Sequence, residues 1–437
     1  MLGHILKSPG FRKYFANTSW MMGEKFIRMG LNLFVGILVA RYLGPSRFGL
    51  LSSAVSMVAL FAVFGTLGLD DILTRNLVQE PADRDFLLGT SFFLRAVGSV
   101  FVFGAASFLS LVVSGDWTGT ALVMIIAAGN VLLSFSVIQF FFLSEVRARY
   151  PSLALFASVI VSSVIKLILI LVKASVVWFA WAIVTEYVIL SIMLYHYYAM
   201  SGIRIRDWSF SGKTAVCLLK DSWPMIFSGL FAMVFTRVDQ VMIKAILGNE
   251  AVGEYSIAVT MTEAWYVIPI VITTSLFPMI INARQTDQKI YHDRLQHLYD
   301  LTIWMGIGLA FVISLSSEWL VELLLGSAYG NSGRVLSILV WNLLFAYMSI
   351  MNSKWLVAEN KQHILLFINP LGALLNVILN LILIPRLGIL GAALATLLTQ
   401  AITAHLIFAF IRNVSPVFQF HVRSFLIFFR LIKIRAS

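Results

Sequence analysis

Long apolar runs, separated by short polar turns, fill almost the whole chain. A helix needs about 20 apolar residues to cross the hydrocarbon core of a bilayer. The pattern therefore predicts twelve membrane-spanning helices in two sets of six. The expected ranges are 17–40, 48–69, 88–113, 119–143, 152–172 and 176–199, then 222–246, 252–281, 298–316, 334–357, 364–384 and 388–411.

Composition supports an all-α polytopic membrane protein. Of 437 residues, 59% are hydrophobic and only 12% are charged, and the mean hydropathy is +0.89. A soluble domain would carry roughly a quarter charged residues. The single cysteine, Cys217, excludes an internal disulfide and a cysteine metal cage. We expect no cofactor and no metal site.

The distribution of Lys and Arg predicts the orientation. With the N-terminus in the cytoplasm, twenty of these residues lie on the cytoplasmic side and six on the far side. Because positive loops stay on the cytoplasmic side, both termini are expected there. The net charge of +11 is then explained by cytoplasmic loops, and we expect no nucleic-acid partner.

The most polar internal stretch, residues 201–221, predicts a cytoplasmic linker between an N-terminal lobe, 1–200, and a C-terminal lobe, 222–412. Residues 413–437 mix apolar residues with Arg and Lys. We expect them to form a basic amphipathic tail on the anionic inner leaflet.

The two halves contain an internal repeat. ARYLGPSRFGLLSSAVS, residues 40–56, aligns without gaps to KAILGNEAVGEYSIAVT, residues 244–260. The Leu-Gly pair, the glycine five residues later and the final Ala-Val-Ser/Thr coincide. Six helices per repeat make the repeats parallel, and such lobes are expected to enclose a substrate cleft.

The stretch NLFVGILVARYLGPSRFGLLSSAVSMVALFAVFGTLGLDDILTR and residues 222–280 resemble the polysaccharide-transporter family of Wzx-type flippases. This family belongs to the multidrug/oligosaccharidyl-lipid/polysaccharide exporter superfamily. The ARYLGP turn is the most specific piece. Family members often have fourteen helices, whereas twelve are expected here.

The resemblance implies a fold like that of the multidrug and toxin extruders (MATE) and a function as a flippase. The implied substrate is oligosaccharide linked to undecaprenyl pyrophosphate, which would cross the bacterial inner membrane by alternating access coupled to H⁺ or Na⁺. Membrane lipids, a polysaccharide polymerase and a chain-length regulator are the implied partners.

Candidate substrate residues are polar side chains within the opening helices of each lobe. Lys25 and Arg28 could meet the diphosphate from the first helix. Arg237, Gln240 and Lys244 recur at i, i+3 and i+7, so they share a face of the seventh helix. The alternative is that these residues form ion pairs with Glu24, Asp239 or Glu263.

Candidate ion-coupling residues are the intramembrane carboxylates, because a buried carboxylate can exchange a proton. They are Glu24, Glu186, Asp239 and Glu263. Structural pairing is the alternative, for example of Glu186 with Lys166. Pro269 predicts a kink in the eighth helix, acting either as a hinge or as a simple bend.

Two other functions remain open at this stage. An antiporter for cationic molecules would favour an acidic cavity, but the opening helices balance acidic and basic residues. A membrane glycosyltransferase or glycan polymerase would need a large loop outside the membrane. The predicted far-side loops are all short.

Overall fold

The computed structural model describes the backbone of residues 9–426 and the side chains from residue 20 onward. Eight side chains within helices are left undescribed, namely Met21, Ser114, Pro278, Met279, Asn282, Ala283, Gln285 and Thr286. All regular secondary structure in this range is helical, which confirms the all-α class.

Each of the twelve predicted segments is mainly helical, although 48–69 runs past the helix end at Thr66 and 334–357 includes a bend between two helices. The first half contains α1 Pro9–Thr66, α2 Asp70–Gln79, α3 Arg84–Ser114, α4 Trp117–Asn130, α5 Val137–Ser144, α6 Arg149–Leu171 and α7 Val176–Met200. The second half contains α8 Gly212–Leu247, α9 Asn249–Glu263, α10 Val267–Thr286, α11 Gln288–Leu325, α12 Gly330–Leu339, α13 Asn342–Ala358, α14 Leu365–Leu387, α15 Ile389–Ala401, α16 Ile407–Phe410 and α17 Ser415–Phe425.

Gly44 divides α1 into two arms, the first ending at Leu43 and the second starting at Pro45. Its backbone, at φ 71° and ψ 169°, lies in a region that only glycine adopts readily. Gly248, its counterpart in the repeat, precedes α9 with φ 86° and ψ −173°. The aligned Leu-Gly pair therefore marks the same unusual turn twice, which supports the internal repeat.

Nine helices in the described range are long and apolar enough to cross a membrane, and ten if the bent pair α12–α13 counts as one span. In this count the two arms of α1 and helix α2 form one segment, Met22–Gln79, and α8 is not among the nine. The chain is thus a multi-pass membrane protein, and the count of exactly twelve spans stays a prediction.

The chain forms two compact units that divide between Ala245 and Ile246. Helix α8, expected to open the second lobe, is grouped with the first unit. The linker is shorter than expected, because residues 212–221 already belong to α8. The lobe boundaries predicted from the repeat stay a prediction.

Each unit has its own apolar core. In the first unit, side chains such as Leu73, Phe142 and Tyr198 pack between α2, α5 and α7. In the second, residues including Tyr299, Met351 and Phe420 join α11, α13 and α17. The described part of the predicted tail therefore buries its apolar face against the second unit. Residues 427–437 lie outside the described range, and binding of the tail to the inner leaflet stays a prediction.

A buried set of polar side chains fastens α17, and we name it the tail network. Its members are Gln296, Asp300, Asn352, His421 and Ser424. The Nδ2 atom of Asn352 donates to the Ala404 carbonyl at 2.7 Å, and its Oδ1 accepts from Tyr299 Oη at 3.1 Å and faces His421 Nε2 at 3.0 Å. Ser424 Oγ donates to Asp300 Oδ1 at 2.7 Å, and Gln296 Nε2 to the same oxygen at 2.9 Å.

Candidate functional site

Glu24 and Arg28, one turn apart on α1, form an ion pair. Arg28 Nε lies 2.8 Å from Glu24 Oε1, and the carboxylate side chain is 5% exposed against 38% for the arginine. Lys25 is exposed. The alternative of pairing with Glu24 is therefore present for Arg28. Because Arg28 keeps its terminal nitrogens outside the Nε contact, it can also meet an anion.

Within the first unit, α8 comes close to the second arm of α1 and to the turn before α2 at two glycines. A Cβ at Gly229 would lie 2.8 Å from Val63 Cγ2, and one at Gly68 would lie 2.8 Å from Met225 Cβ. Beyond these points, Arg75 Nη2 pairs with Asp221 Oδ2 at 2.6 Å. Small residues thus permit close approach between α8 and this part of the chain.

Four buried polar side chains connect the second arm of α1 with the C-terminal part of α8. We name Ser53, Ser56, Gln240 and Lys244 the polar seam. Lys244 Nζ donates to Ser53 Oγ at 3.2 Å, and Ser56 Oγ donates to Gln240 Oε1 at 2.5 Å. All four are less than a tenth exposed. Ser53 and Ser56 are spaced i, i+3 and Gln240 and Lys244 i, i+4, so each pair shares a helix face.

The two α8 residues of the polar seam are almost completely shielded from solvent. Lys244 is 6% exposed and Gln240 is 4% exposed, so neither lines an open cavity in this structure. Substrate contact by these two residues therefore requires α8 to move away from the second arm. This contact stays a prediction.

Two further candidates on α8 lie beside the polar seam. Asp239 is 4% exposed, and Arg237 is half-buried. Because α8 is helical from residue 212 to 247, Arg237, Gln240 and Lys244 share the predicted face. Their roles in binding and coupling stay predictions.

Glu186 on α7 is paired with a lysine, as the structural alternative expected. Lys166 Nζ lies 3.9 Å from Glu186 Oε2. A distance this long joins two charges without a close hydrogen bond. The pairing explains why the helices tolerate both charges, and leaves a coupling role untested.

Glu263 and Pro269 lie in the second unit, on either side of a short 3₁₀ turn. Helix α9 ends at Glu263, a 3₁₀ turn covers Ala264–Tyr266, and α10 starts at Val267. Pro269 therefore sits in the first turn of α10, within a helical stretch, Asn249–Phe277, that is long and apolar enough to form one span, as expected. A proline there cannot donate to the Trp265 carbonyl, which instead accepts from Tyr347 Oη at 2.8 Å. A hinge role for Pro269 stays a prediction.

Three buried polar residues of the first unit escaped the sequence prediction. Ser53 and Ser56 gave no charge signal, and their partners lie more than 180 positions away. Arg95, 4% exposed, lies 3.4 Å from Asp70 Oδ1 and over the Phe140 ring at 5.6 Å. A charged residue inside the predicted 88–113 span was a signal that could have revealed it.

Comparison with known proteins agrees with this architecture. The family described as polysaccharide biosynthesis protein matches residues 14–284, more than half of the chain.

The chain belongs to the polysaccharide biosynthesis protein family.

The MatE family also matches residues 224–382 of this family member. The chain is similar to "Probable flippase AglR" of Haloferax volcanii, with 25% identity over 86% of this chain and 80% of that protein. It is also 22% identical to a Shigella flexneri protein classed provisionally as an O-antigen transporter, over 82% of this chain and 88% of the other. The resemblance found in the sequence is thereby confirmed.

Among solved structures, the lipid II flippase MurJ in an inward closed conformation superimposes with a TM-score of 0.74. Its sequence is 16% identical, and the match covers 94% of this chain and 91% of the flippase. At this identity the likeness concerns the fold, which confirms the MATE-like class. Relatives named as flippases and transporters also confirm that this polysaccharide biosynthesis protein is a transporter and not an enzyme.

Proposed function

We propose that this protein is a flippase that moves oligosaccharide linked to undecaprenyl pyrophosphate across the bacterial inner membrane. The observation that carries the proposal is the set of charged and polar side chains within helices that must cross the bilayer. A charge facing lipid costs several kcal/mol, so such residues face protein or a water-filled path. Family membership and the flippase relatives support a lipid-linked glycan as the cargo.

Each part of the proposed substrate has a chemical counterpart. The diphosphate would meet Arg28 and Lys25, whose donors suit phosphate oxygens. Arg28 combines a fixed position, given by Glu24, with partial exposure. Arg237 would contribute the second cation. The polyprenyl tail would remain in lipid.

Transport would require the polar seam to open and close. Lys244 and Gln240 are bound to serines in this structure, and would be released to the substrate path when α8 leaves the second arm. The Ser56–Gln240 bond is neutral and contributes only about 1 kcal/mol, and the released ammonium of Lys244 can bind water or substrate in place of Ser53. The seam thus suits an alternating-access gate.

Ion coupling, by H⁺ or Na⁺, would use intramembrane carboxylates. Asp239, which is 4% exposed, and Glu263, at the end of α9, are the carboxylates tested first. Asp239→Asn and Glu263→Gln should each stay in the membrane, and at least one should abolish gradient-driven transport. Normal transport by the double variant would remove both from coupling.

The proposed orientation has both termini in the cytoplasm, where a polysaccharide polymerase and a chain-length regulator remain candidate partners at the membrane. Reporter fusions after Lys7, Cys217 and Arg412 should report cytoplasm, and a fusion after Trp117 the far side. A far-side signal at Cys217 would contradict this orientation.

The test of substrate contact is complementation of a flippase-deficient strain. Arg28→Gln or Arg237→Gln should lower activity about ten- to hundredfold, the effect of losing about 1.5–3 kcal/mol from a hydrogen bond to a charged group. Arg→Lys should retain part of it. Arg75→Gln, in the Asp221 ion pair, is the matched control and should keep full activity.

A double variant distinguishes substrate binding by Arg28 from a simple ion pair with Glu24. The double variant Glu24→Arg, Arg28→Glu keeps the pair but exchanges its poles. It should fail if Arg28 binds the diphosphate. Full complementation by the exchanged pair would refute substrate contact by Arg28.

Transport of a cationic dye without glycan transport would favour the antiporter.

A further inference from the structure

A polar pocket of about 260 Å³ lies at one end of the first unit, away from the candidate substrate residues. Helix ends form it: Arg84 begins α3, Ser144 ends α5, and Ser201 follows the end of α7. Because these ends terminate predicted membrane spans, the pocket lies at the level of the lipid headgroups. Binding pockets for drug-sized ligands begin at about 300 Å³, so this one suits a small group and not an oligosaccharide.

The loop after α7 supplies Ser201 and Ile203 to the pocket lining, and its later residues are bonded to α3. The N–H of Ser209 donates to the Asp85 carbonyl at 3.3 Å, and the N–H of Ser211 donates to Thr90 Oγ1 at 3.0 Å. A Cβ at Gly89 would lie 2.6 Å from the Ser209 carbonyl oxygen, so the loop after α7 rests directly on α3. These contacts anchor on α3 the loop whose first residues line the pocket.

One strained residue places two opposite charges in the lining. Val146 has φ +55°, a left-handed conformation that a β-branched residue rarely adopts. The N–H of Arg147 donates to the Phe142 carbonyl at 2.8 Å and holds this turn. Glu145 and Arg147, on either side of Val146, both line the pocket.

The pocket contains hydrogen-bond donors on its arginines and hydrogen-bond acceptors on its serines and its glutamate. Arg84 gives its Nε and one Nη2 hydrogen to Asp85, at 2.8 and 3.1 Å, and keeps three of its five N–H donors. Together with Arg147 it can bind a phosphate. Ser144 Oγ donates to the Phe141 carbonyl at 2.8 Å, and Ser201 Oγ to the Tyr197 carbonyl at 3.1 Å. Both hydroxyls therefore offer only lone pairs, as does the Glu145 carboxylate.

The geometry points to a binding site for a phosphoethanolamine headgroup of a membrane phospholipid. The phosphate accepts from Arg84 and Arg147, and the ammonium donates its three N–H groups to Glu145, Ser144 and Ser201. Phe141 and Leu77 supply apolar surface beside the headgroup. A quaternary choline has no N–H to donate and a glycerol headgroup has no positive charge, so the pocket discriminates against both. The inference does not depend on the flippase activity.

The test is lipid binding by the full-length protein in detergent, measured by native mass spectrometry. Phosphatidylethanolamine, phosphatidylcholine and phosphatidylglycerol with the same acyl chains serve as probes. The wild type should bind one phosphatidylethanolamine at least tenfold more tightly than either competitor. Equal binding of all three lipids would overturn the proposal.

Variants separate the two halves of the headgroup. Arg147→Gln should lose binding of phosphatidylethanolamine about tenfold, and Glu145→Gln should reduce its preference over phosphatidylcholine. Arg206→Gln, an exposed arginine of the same loop region outside the pocket, is the matched control and should bind as the wild type. An unchanged lipid preference in both pocket variants, with unchanged melting temperature, would also overturn the proposal.

Free headgroup distinguishes a lipid site from a soluble phosphate site. O-phosphoethanolamine should displace the lipid only at much higher concentration, because the apolar lining contacts the glycerol and acyl region. Inorganic phosphate should be weaker still, as it lacks the ammonium. If inorganic phosphate displaced the lipid as well as O-phosphoethanolamine does, the ammonium half of the site would be refuted.

Discussion

The polar seam of the first unit and the tail network of the second unit are both buried hydrogen-bonded sets, and they differ in connectivity. In the polar seam, each side chain of α8 meets a serine hydroxyl of the second arm, Lys244 with Ser53 and Gln240 with Ser56. In the tail network, Asn352 alone joins α11, α13, α17 and the turn at Ala404.

This difference separates a contact that can open from one that must stay closed. Breaking the seam releases two side chains that water or substrate can satisfy. Breaking the tail network leaves several buried groups without partners, each at a cost of about 1–3 kcal/mol. We therefore assign movement to the polar seam and a fixed, stabilising role to the tail network.

The largest expected effect is on the tail network. Asn352→Ala removes the partners of Tyr299, His421 and the Ala404 carbonyl at once, and should destabilise the protein by about 3 kcal/mol or more. The melting temperature of the purified protein in detergent measures this. Ser353→Ala is the control, because Ser353 Oγ only donates to the nearby Ser349 carbonyl. A melting temperature equal to that of the control would show that the network contributes nothing.

A smaller effect on stability and a selective effect on transport are expected at the polar seam. Lys244→Met keeps the length and apolar stem of the side chain but removes its charge. It should lower transport at least tenfold, while shifting the melting temperature by only a few degrees. Lys220→Met, an exposed lysine of the same helix, should change neither. Wild-type transport by Lys244→Met would exclude the seam from the mechanism.

The tail network should also make stability depend on pH. Burial, together with the smaller effect of the neighbouring His405, lowers the pKa of His421 to about 3. Since Asn352 Oδ1 is an acceptor, His421 Nε2 carries the hydrogen and its Nδ1 faces His405 at 3.1 Å. The folded protein therefore keeps a neutral histidine down to low pH.

The sign follows from proton binding by the unfolded chain. The unfolded state binds a proton near the ordinary histidine pKa of about 6.5, whereas the folded state does not. Stability is thus fully present above pH 6.5 and falls as the pH drops, by about 2 kcal/mol at pH 5. The melting temperature measured between pH 8 and 5 checks this, and His421→Gln should flatten the change. An equal decline in that variant would assign it to other groups.

Local patterns in the sequence predicted much of this architecture. Apolar runs located the helices, and the repeated Leu-Gly pair located the turns at Gly44 and Gly248. Glu24, named from the sequence as a possible partner of Arg28, lies four residues before it and therefore on the same helix face.

What the sequence did not reveal depends on partners far apart in the chain. Ser53 and Ser56 look like ordinary small residues of a membrane helix until Lys244 and Gln240 are placed against them. The C-terminal segment has the composition of a surface helix, yet α17 packs into the second unit because Asp300 and Asn352, on α11 and α13, receive its polar face. Contacts between residues so far apart in the chain leave no periodic pattern in the sequence.

The most direct test of the central claim is a flipping measurement in proteoliposomes. The purified protein is reconstituted with a fluorescent lipid-linked oligosaccharide, and a membrane-impermeant quencher reports the share of label on the outer leaflet. The account predicts that wild-type protein brings nearly all of the label within reach of the quencher, while Lys244→Met and Arg28→Gln leave the inner-leaflet label protected. Label that stays protected with wild-type protein, in vesicles supplied with an ion gradient of either polarity, would contradict it.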